Sequence, residues 1–221
     1  MRTSEILWRS AEDVYAGILA HPFLVELSKG ELRREAFVRF VSQDYLYLNR
    51  YRSALAAAAS RAGSPEASEL LARMAADISS TELALHLDVL REHGVREEDL
   101  EPSPATLAYT SYLLALACAA PFEEALAALL ACSWIYLEVG RELARRGPPP
   151  DPLYRRWVEQ YSGEQYEREV RDLIALVDSL EVDGRALAAM RRSYRTAAVY
   201  EYMFWDDAYR GARFPYGLRP P

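Results

Sequence analysis

The sequence has few of the residues that hold metals or form disulfides. Of its 221 residues, two are cysteine, Cys118 and Cys132, and three are histidine. Two cysteines in apolar, helix-like sequence are too few for a disulfide framework, so we expect both thiols to be reduced. A structural zinc site needs about four Cys and His ligands at characteristic spacings. No such spacing occurs, and we expect no metal site.

Positive charge and long apolar runs are also scarce. Lys29 is the only lysine, the net charge is -7 and the pI is about 5.2. Because nucleic-acid binding requires a basic surface, we expect no nucleic-acid partner. No stretch approaches the ~18 consecutive apolar residues of a membrane helix, and the first residues lack the apolar core of a signal peptide. We therefore expect no membrane association and a cytoplasmic location.

The sequence is rich in helical patterns. Apolar residues recur with helical spacing throughout, and no segment shows the alternation of a half-buried strand. Ser64 with Pro65, Ser162 with Gln165, and Asp183 resemble helix starts. We predict a single all-α domain, residues 1–221, in which seven or eight helices form a bundle around a central pocket. The predicted helices cover approximately residues 6–19, 31–63, 65–94, 104–119, 121–147, 151–160, 162–180 and 183–211.

One helix carries a carboxylate inside an aromatic stripe. The segment is QDYLYLNRYR, residues 43–52, and Asp44, Tyr47 and Tyr51 lie on one face because positions three and four apart are neighbours. Two interpretations of Asp44 stand. It is a structural carboxylate that is hydrogen-bonded where two helices cross, or it belongs to a pocket that binds an aromatic, basic molecule.

Two further helices carry reactive groups beside aromatic residues. Cys132 shares a helix face with Tyr136, although a lone cysteine in an apolar helix is usually an inert core residue. Cys118 keeps that inert interpretation. Glu201 shares a face with Phe204, and a carboxylate in such an aromatic cluster is a candidate for a raised pKa and for proton transfer.

Glu82 and His86 are four residues apart on one helix face. Di-iron bundles use a Glu-x-x-His spacing of three on two helices, and this pair is single and has a different spacing. We interpret it as an ordinary polar contact with no role in the chemistry.

Several segments occur in a familiar order. They are HPFLVELSKGEL (21–32), FVRFVSQDYLYLNRYRSALAAAAS (37–60), LAYTSYLLALA (107–117), LLACSWIYLEVG (129–140), WVEQYSGEQY (157–166) and YEYMFWDDAY (200–209). Over residues 20–209 the chain resembles the thiaminase II (TenA-like) family, most specifically in Gln-Asp-Tyr, Cys-x-Trp-x-Tyr and Glu-x-x-Phe-Trp. The resemblance implies a heme-oxygenase-like fold, a homotetramer, and hydrolysis of aminopyrimidines in thiamin salvage.

The resemblance also implies roles for individual residues. Asp44 resembles the residue that grips the pyrimidine, Cys132 the nucleophile and Glu201 the acid/base group. The presence of Cys132 places the chain in the cysteine-bearing branch of the family. Positions that line the pocket or form hydrogen bonds near the thiol are matched by Tyr47, Tyr109, Tyr136, Tyr161 and Phe204.

The leading hypothesis is an aminopyrimidine aminohydrolase, with neither metal nor cofactor. It would convert 4-amino-5-aminomethyl-2-methylpyrimidine to the 5-hydroxymethyl pyrimidine and ammonia, with weaker action on thiamin. One alternative is a heme- or quinone-type oxygenase on the same fold, for which His21 is the candidate axial ligand, although Pro22 follows it directly. The other is a non-catalytic, pyrimidine-binding regulatory protein.

Overall fold

The chain is helical throughout its described length. The computed structural model describes the backbone of residues 1–80 and 82–218, and the side chains of these residues except 79, 80 and 82. This part of the chain forms no β-strand, one short 3-10 helix at Glu97–Asp99, and eleven α-helices. These are α1 Thr3–Arg9, α2 Glu12–Leu19, α3 Pro22–Lys29, α4 Arg34–Ala59, α5 Pro65–Ser80, α6 Glu82–Glu92, α7 Pro104–Ala119, α8 Phe122–Arg146, α9 Pro152–Ser162, α10 Glu164–Ser179 and α11 Gly184–Arg210. The all-α prediction is confirmed, with a finer division than the expected seven or eight helices.

Local capping sets several of the helix starts. The Ser64 hydroxyl accepts a hydrogen bond from the Ala67 backbone N–H at 3.2 Å, with Pro65 at the first helical position of α5. Asp183 caps α11 by accepting from the Ala186 N–H at 2.7 Å. Both starts were predicted, since the capping side chain and the groups that it satisfies lie within one turn of sequence.

The first predicted helix, residues 6–19, is divided into α1 and α2. The Ser10 hydroxyl donates to the Leu7 carbonyl at 2.6 Å, a local bond that competes with helix continuation. Arg195 on α11 donates to the Ser10 carbonyl at 2.6 Å, so this oxygen has a partner outside the helix. A distant residue therefore stabilises the break.

Three other predicted boundaries differ. Residues 65–94 form α5 and α6, and Thr81 between them lies outside the described residues. Ser162 does not cap α10, because it is the last residue of α9 and Gly163 separates the two helices. Pro22 is the first residue of α3, a helix in the gap between the predicted helices 6–19 and 31–63.

Helix α8 lies at the centre of the molecule. Every residue from Ala125 to Ser133 is buried, and α8 packs against α4, α7, α9, α10 and α11. Most of the buried apolar residues between Leu7 and Ala208 form one hydrophobic cluster. The long helices α4, α8 and α11 therefore place their facing side chains in the interior.

Within the described ranges no helix is both long and apolar enough to cross a membrane.

Candidate active site

Three long helices each bring a chemically reactive side chain into the core. Asp44 on α4 is 1% exposed, Cys132 on α8 is 6% exposed and Glu201 on α11 is 1% exposed. Their charges affect shared neighbours: Asp44, Glu201 and Cys132 all raise the pKa of Tyr136, whose largest cause of increase is burial. The three predicted groups therefore lie in one region of the interior.

Asp44 is held by side chains from two other helices. Its Oδ2 atom lies 2.7 Å from the Nε2 of His86 on α6 and accepts a 3.4 Å hydrogen bond from the Tyr161 hydroxyl on α9. His86 is itself 1% exposed. His86 therefore contacts the carboxylate directly, and the interpretation that it has no role in the chemistry stays a prediction. The side chain of Glu82 lies outside the described residues, so the predicted Glu82–His86 contact stays a prediction.

Glu201 has strongly altered acidity. Burial away from water raises its pKa from the ordinary value of 4.5 to about 8, and the charge of Asp44 acts in the same direction. Tyr109 and Cys132 favour the charged form but do not offset the loss of hydration. Glu201 therefore holds a proton at neutral pH and is able to give it up near pH 8, which is the behaviour required of a proton-transfer group.

The site contains buried polar atoms whose hydrogen bonding is incomplete. Among the described residues, the Tyr47 and Tyr109 hydroxyls and the Oε1 atom of Glu201 are buried without a hydrogen bond of normal geometry. Burial raises the pKa of both tyrosines well above 10, and Cys132 and Glu201 add to the increase. Because buried polar groups are normally satisfied, three unsatisfied atoms around one thiol suggest that a polar ligand completes the site.

Aromatic rings form the walls of the site. The Tyr47 ring centroid lies 5.0 Å from that of Tyr109 and 5.8 Å from that of Phe204, and the Tyr136 centroid lies 4.9 Å from that of Tyr161. The five aromatic residues that were predicted to bind the substrate are all buried. Faces of this kind stack favourably on a planar, electron-poor ring.

The helical turn that carries Cys132 is fixed from two sides. The Tyr51 hydroxyl donates to the Leu129 carbonyl at 2.9 Å and lies 2.9 Å from the Ser133 hydroxyl. Tyr166 donates to the Ser133 carbonyl at 3.3 Å. The sequence places Tyr51 in the aromatic stripe. It does not show that Tyr51 supports the turn of Cys132, because the hydrogen-bond partners of Tyr51 are 78 and 82 residues away.

Cys132 also borders a narrow cavity between α4, α5, α8 and α10. The cavity holds about 350 Å³ of empty space including its open mouth. Its lining includes Leu48, Met74, Glu169 and Val170. The Cys132 side chain therefore borders this cavity and also interacts with Glu201.

The two cysteines are in different environments. Cys132 is buried, whereas Cys118 is exposed on α7. The prediction that Cys118 lies in the core is therefore wrong. Helix α7 carries apolar residues on all sides, as in LAYTSYLLALACA, so its pattern does not distinguish the buried face from the exposed one.

Comparison with known proteins agrees with this architecture. Residues 8–211 match the TENA/THI-4/PQQC family. The chain belongs to this family. It is 30% identical over 219 residues to an aminopyrimidine aminohydrolase of Helicobacter pylori, a match that covers 95% of this chain and 100% of that protein.

Solved structures show the same fold. A TenA homologue from P. horikoshii OT3 superposes with a TM-score of 0.89 at 32% identity, covering 96% of this chain and 100% of that one. A heme oxygenase from Leptospira interrogans superposes with a TM-score of 0.68 at 15% identity, covering 94% and 100% of the two chains. The prediction of a heme-oxygenase-like fold is confirmed.

The histidine considered as a heme ligand has other partners. The Nδ1 atom of His21 accepts a hydrogen bond from the Phe23 backbone N–H at 3.1 Å and thereby caps α3. Its Nε2 atom lies 3.3 Å from the Asp206 carboxylate. One ring nitrogen caps α3 and the other contacts α11, so both are engaged and His21 has a structural role in this fold.

Proposed function

We propose that the protein is an aminopyrimidine aminohydrolase that releases ammonia from 4-amino-5-aminomethyl-2-methylpyrimidine, with weaker action on thiamin, in thiamin salvage. The observation that carries this proposal is the convergence of Asp44, Cys132 and Glu201 in one aromatic, buried region with unsatisfied polar atoms. The relative from Helicobacter pylori, which is named for this activity, supports the same conclusion.

Asp44 supplies recognition of the ring in this proposal. A 4-aminopyrimidine places a ring nitrogen beside an exocyclic amino group, and once that nitrogen is protonated a carboxylate accepts from both. The positive charge on the protonated ring nitrogen makes the ring electron-poor. The rings of Tyr47 and Phe204, with centroids 5.8 Å apart, provide aromatic surface against it.

Cys132 supplies the nucleophile. Its thiolate sulfur adds to a carbon of the protonated ring and forms a C–S bond, which places an electron pair in the ring. That pair expels the amine from the 5-methylene group, and the amine leaves as ammonia with one added proton. Water adds to the methylene carbon and loses one proton, after which the sulfur departs and the aromatic ring is restored. Substrate and water are consumed, and alcohol and ammonia are formed.

Glu201 supplies and removes the protons of these steps. The leaving amine needs one proton, and the entering water releases one. A carboxyl group with a pKa of about 8 exchanges protons in both directions near neutral pH. The oxygen Oε1, which has no internal partner among the described residues, is the atom available for this exchange.

Product analysis tests the proposal. The purified protein is incubated with the aminomethyl pyrimidine in H₂¹⁸O, and ammonia and the hydroxymethyl product are measured. We expect equal amounts of both, with one ¹⁸O atom in each product molecule. Cys132→Ala should lose most turnover while retaining its helicity, and Cys118→Ala is the matched control with near-normal turnover. No ammonia from the unmodified protein, or equal loss in both variants, would contradict the proposal.

We also propose that residues 1–221 form a single domain that assembles as a homotetramer. Four large apolar side chains on α7 and α11 are between 38% and 41% exposed, and apolar surface of this kind favours a subunit contact. They are Leu107, Val199, Tyr202 and Met203. Light scattering at micromolar concentration should give about four times the chain mass, and a monomer would refute the assembly.

A further inference from the structure

His86 makes a close, buried contact with the carboxylate of the site. Its Nε2 atom lies 2.7 Å from Asp44 Oδ2, and the side chains are 1% and 2% exposed. The wall beside the imidazole is apolar, and a small void there is lined, together with His86, by Phe37, Val41, Leu85, Val89, Leu153 and Trp157. The Nε2 atom therefore meets the Asp44 carboxylate beside an apolar wall.

The contact restricts the orientation of the carboxylate. The last torsion of an Asp side chain has broad minima, so the carboxylate plane is set by its hydrogen bonds. Both contacts of Asp44 with His86 and Tyr161 converge on Oδ2, and Oδ1 takes part in neither. An ionised carboxylate only accepts hydrogen bonds, so Nε2 carries the hydrogen when Asp44 is charged.

We propose that His86 is a positioning residue for ligand binding: its Nε2–H holds Oδ2 of Asp44 so that Oδ1 meets the protonated face of a 4-aminopyrimidine. The inference rests on the proposed function and names the residue that orients the recognition group. Of the two contacts on Oδ2, the one with His86 is shorter by 0.7 Å, since they measure 2.7 Å and 3.4 Å. His86 is accordingly the principal restraint, and Tyr161 supports it.

A purely structural role makes a different prediction. His86 on α6 and Asp44 on α4 also link two helices, so loss of the link alone would lower stability without a selective effect on binding. Two substitutions separate the roles. The amide nitrogen of Gln reaches the position of Nε2 and donates a hydrogen bond there, whereas the shorter Asn matches the position of Nδ1 and does not reach Asp44.

The experiment measures binding of the hydroxymethyl pyrimidine, the proposed product, by calorimetry, with the melting temperature of each variant measured in parallel. His86→Gln should bind within about threefold of the unmodified protein. His86→Asn should bind about 10- to 100-fold more weakly, the loss expected for a hydrogen bond to a charged group. In an Asp44→Asn background, His86→Asn should add little further loss, because the two residues act as one unit. His93→Gln, which changes an exposed histidine just beyond α6, is the matched control.

Three results would overturn the inference, and they differ from one another. Normal binding by His86→Asn would show that the contact does not orient the site. Equal weakening in His86→Gln and His86→Asn, in proportion to lowered melting temperatures, would show a structural link alone. If the unmodified protein binds no hydroxymethyl pyrimidine and releases no ammonia from the aminomethyl pyrimidine, the proposed function itself fails and this inference fails with it.

Discussion

Replacement of Glu201 by glutamine should change how the stability of the protein depends on pH. The carboxyl group is 1% exposed, and burial raises its pKa from 4.5 to about 8. Glutamine has nearly the same shape and carries no charge at any pH. The variant therefore removes the titration of this group while preserving most of the packing around it.

The sign and size of the effect follow from proton binding. Between pH 4.5 and about 8 the folded protein holds a proton on Glu201 that the unfolded chain has released, so the free energy of unfolding falls as pH rises. The contribution is complete below pH 4.5 and is lost once pH has passed about 8. One pKa unit corresponds to about 1.4 kcal/mol, so the change from 4.5 to about 8 corresponds to roughly 5 kcal/mol.

Urea unfolding at a series of pH values measures this difference. The unmodified protein should lose several kcal/mol between pH 5 and pH 9 relative to Glu201→Gln, at the same protein concentration. For a chain of this size that loss corresponds to a relative fall in melting temperature of about 10–20 °C. Other titrating groups are common to both proteins and cancel in the comparison.

A control and a contrary result complete the test. Glu164→Gln changes a carboxylate whose side chain is 94% exposed, and its profile should follow that of the unmodified protein. If the profiles of Glu201→Gln and the unmodified protein run parallel from pH 5 to pH 9, then Glu201 does not titrate near 8. The explanation of its acidity by burial would then be wrong.

Three further outcomes are expected. Turnover should fall as pH rises through about 8, because Glu201 then loses the proton needed by the leaving amine. The residual turnover of Glu201→Gln should not show this fall. Asp44→Asn should lower turnover well over tenfold with little change in melting temperature. The amide oxygen still accepts from His86, whereas the amide nitrogen faces the donors of the substrate. A large fall in melting temperature with normal turnover per folded molecule would contradict this expectation. Gly140→Ala would place a Cβ 2.7 Å from the backbone of α9 and should lower the free energy of unfolding, measured in urea, by on the order of 1–3 kcal/mol. Gly184→Ala is the control, because a Cβ there would meet open space. Equal stability of the two variants would refute the close approach at Gly140.

Much of the architecture could be predicted because it depends on neighbours in sequence. The start of α5 at Pro65 follows from Ser64, and the start of α11 follows from Asp183, each with its hydrogen bond closed within three residues. The aromatic stripe around Asp44 follows from helical spacing alone. Features of this kind are local, and the sequence determined them without any knowledge of packing.

The arrangement of the site could be predicted only through the family resemblance. Asp44, Cys132 and Glu201 are on helices that are far apart in sequence, and no local pattern shows that they meet. The resemblance supplied that knowledge for the residues matched by its motifs. It indicated no role for His86, whose contact with Asp44 joins residues 42 positions apart in sequence.

The remaining features were decided by tertiary structure alone. The break between α1 and α2 depends on Arg195, which reaches the Ser10 carbonyl from 185 residues away. The exposed position of Cys118 depends on which side of a helix with apolar residues all round meets α4, α8 and α11. The sequence indicated a raised pKa for Glu201, but the size of the increase depends on burial by helices that its own sequence neighbours do not specify. Hydrogen bonding between near neighbours is encoded locally, whereas loss of hydration and contacts between distant residues exist only after the helices have packed.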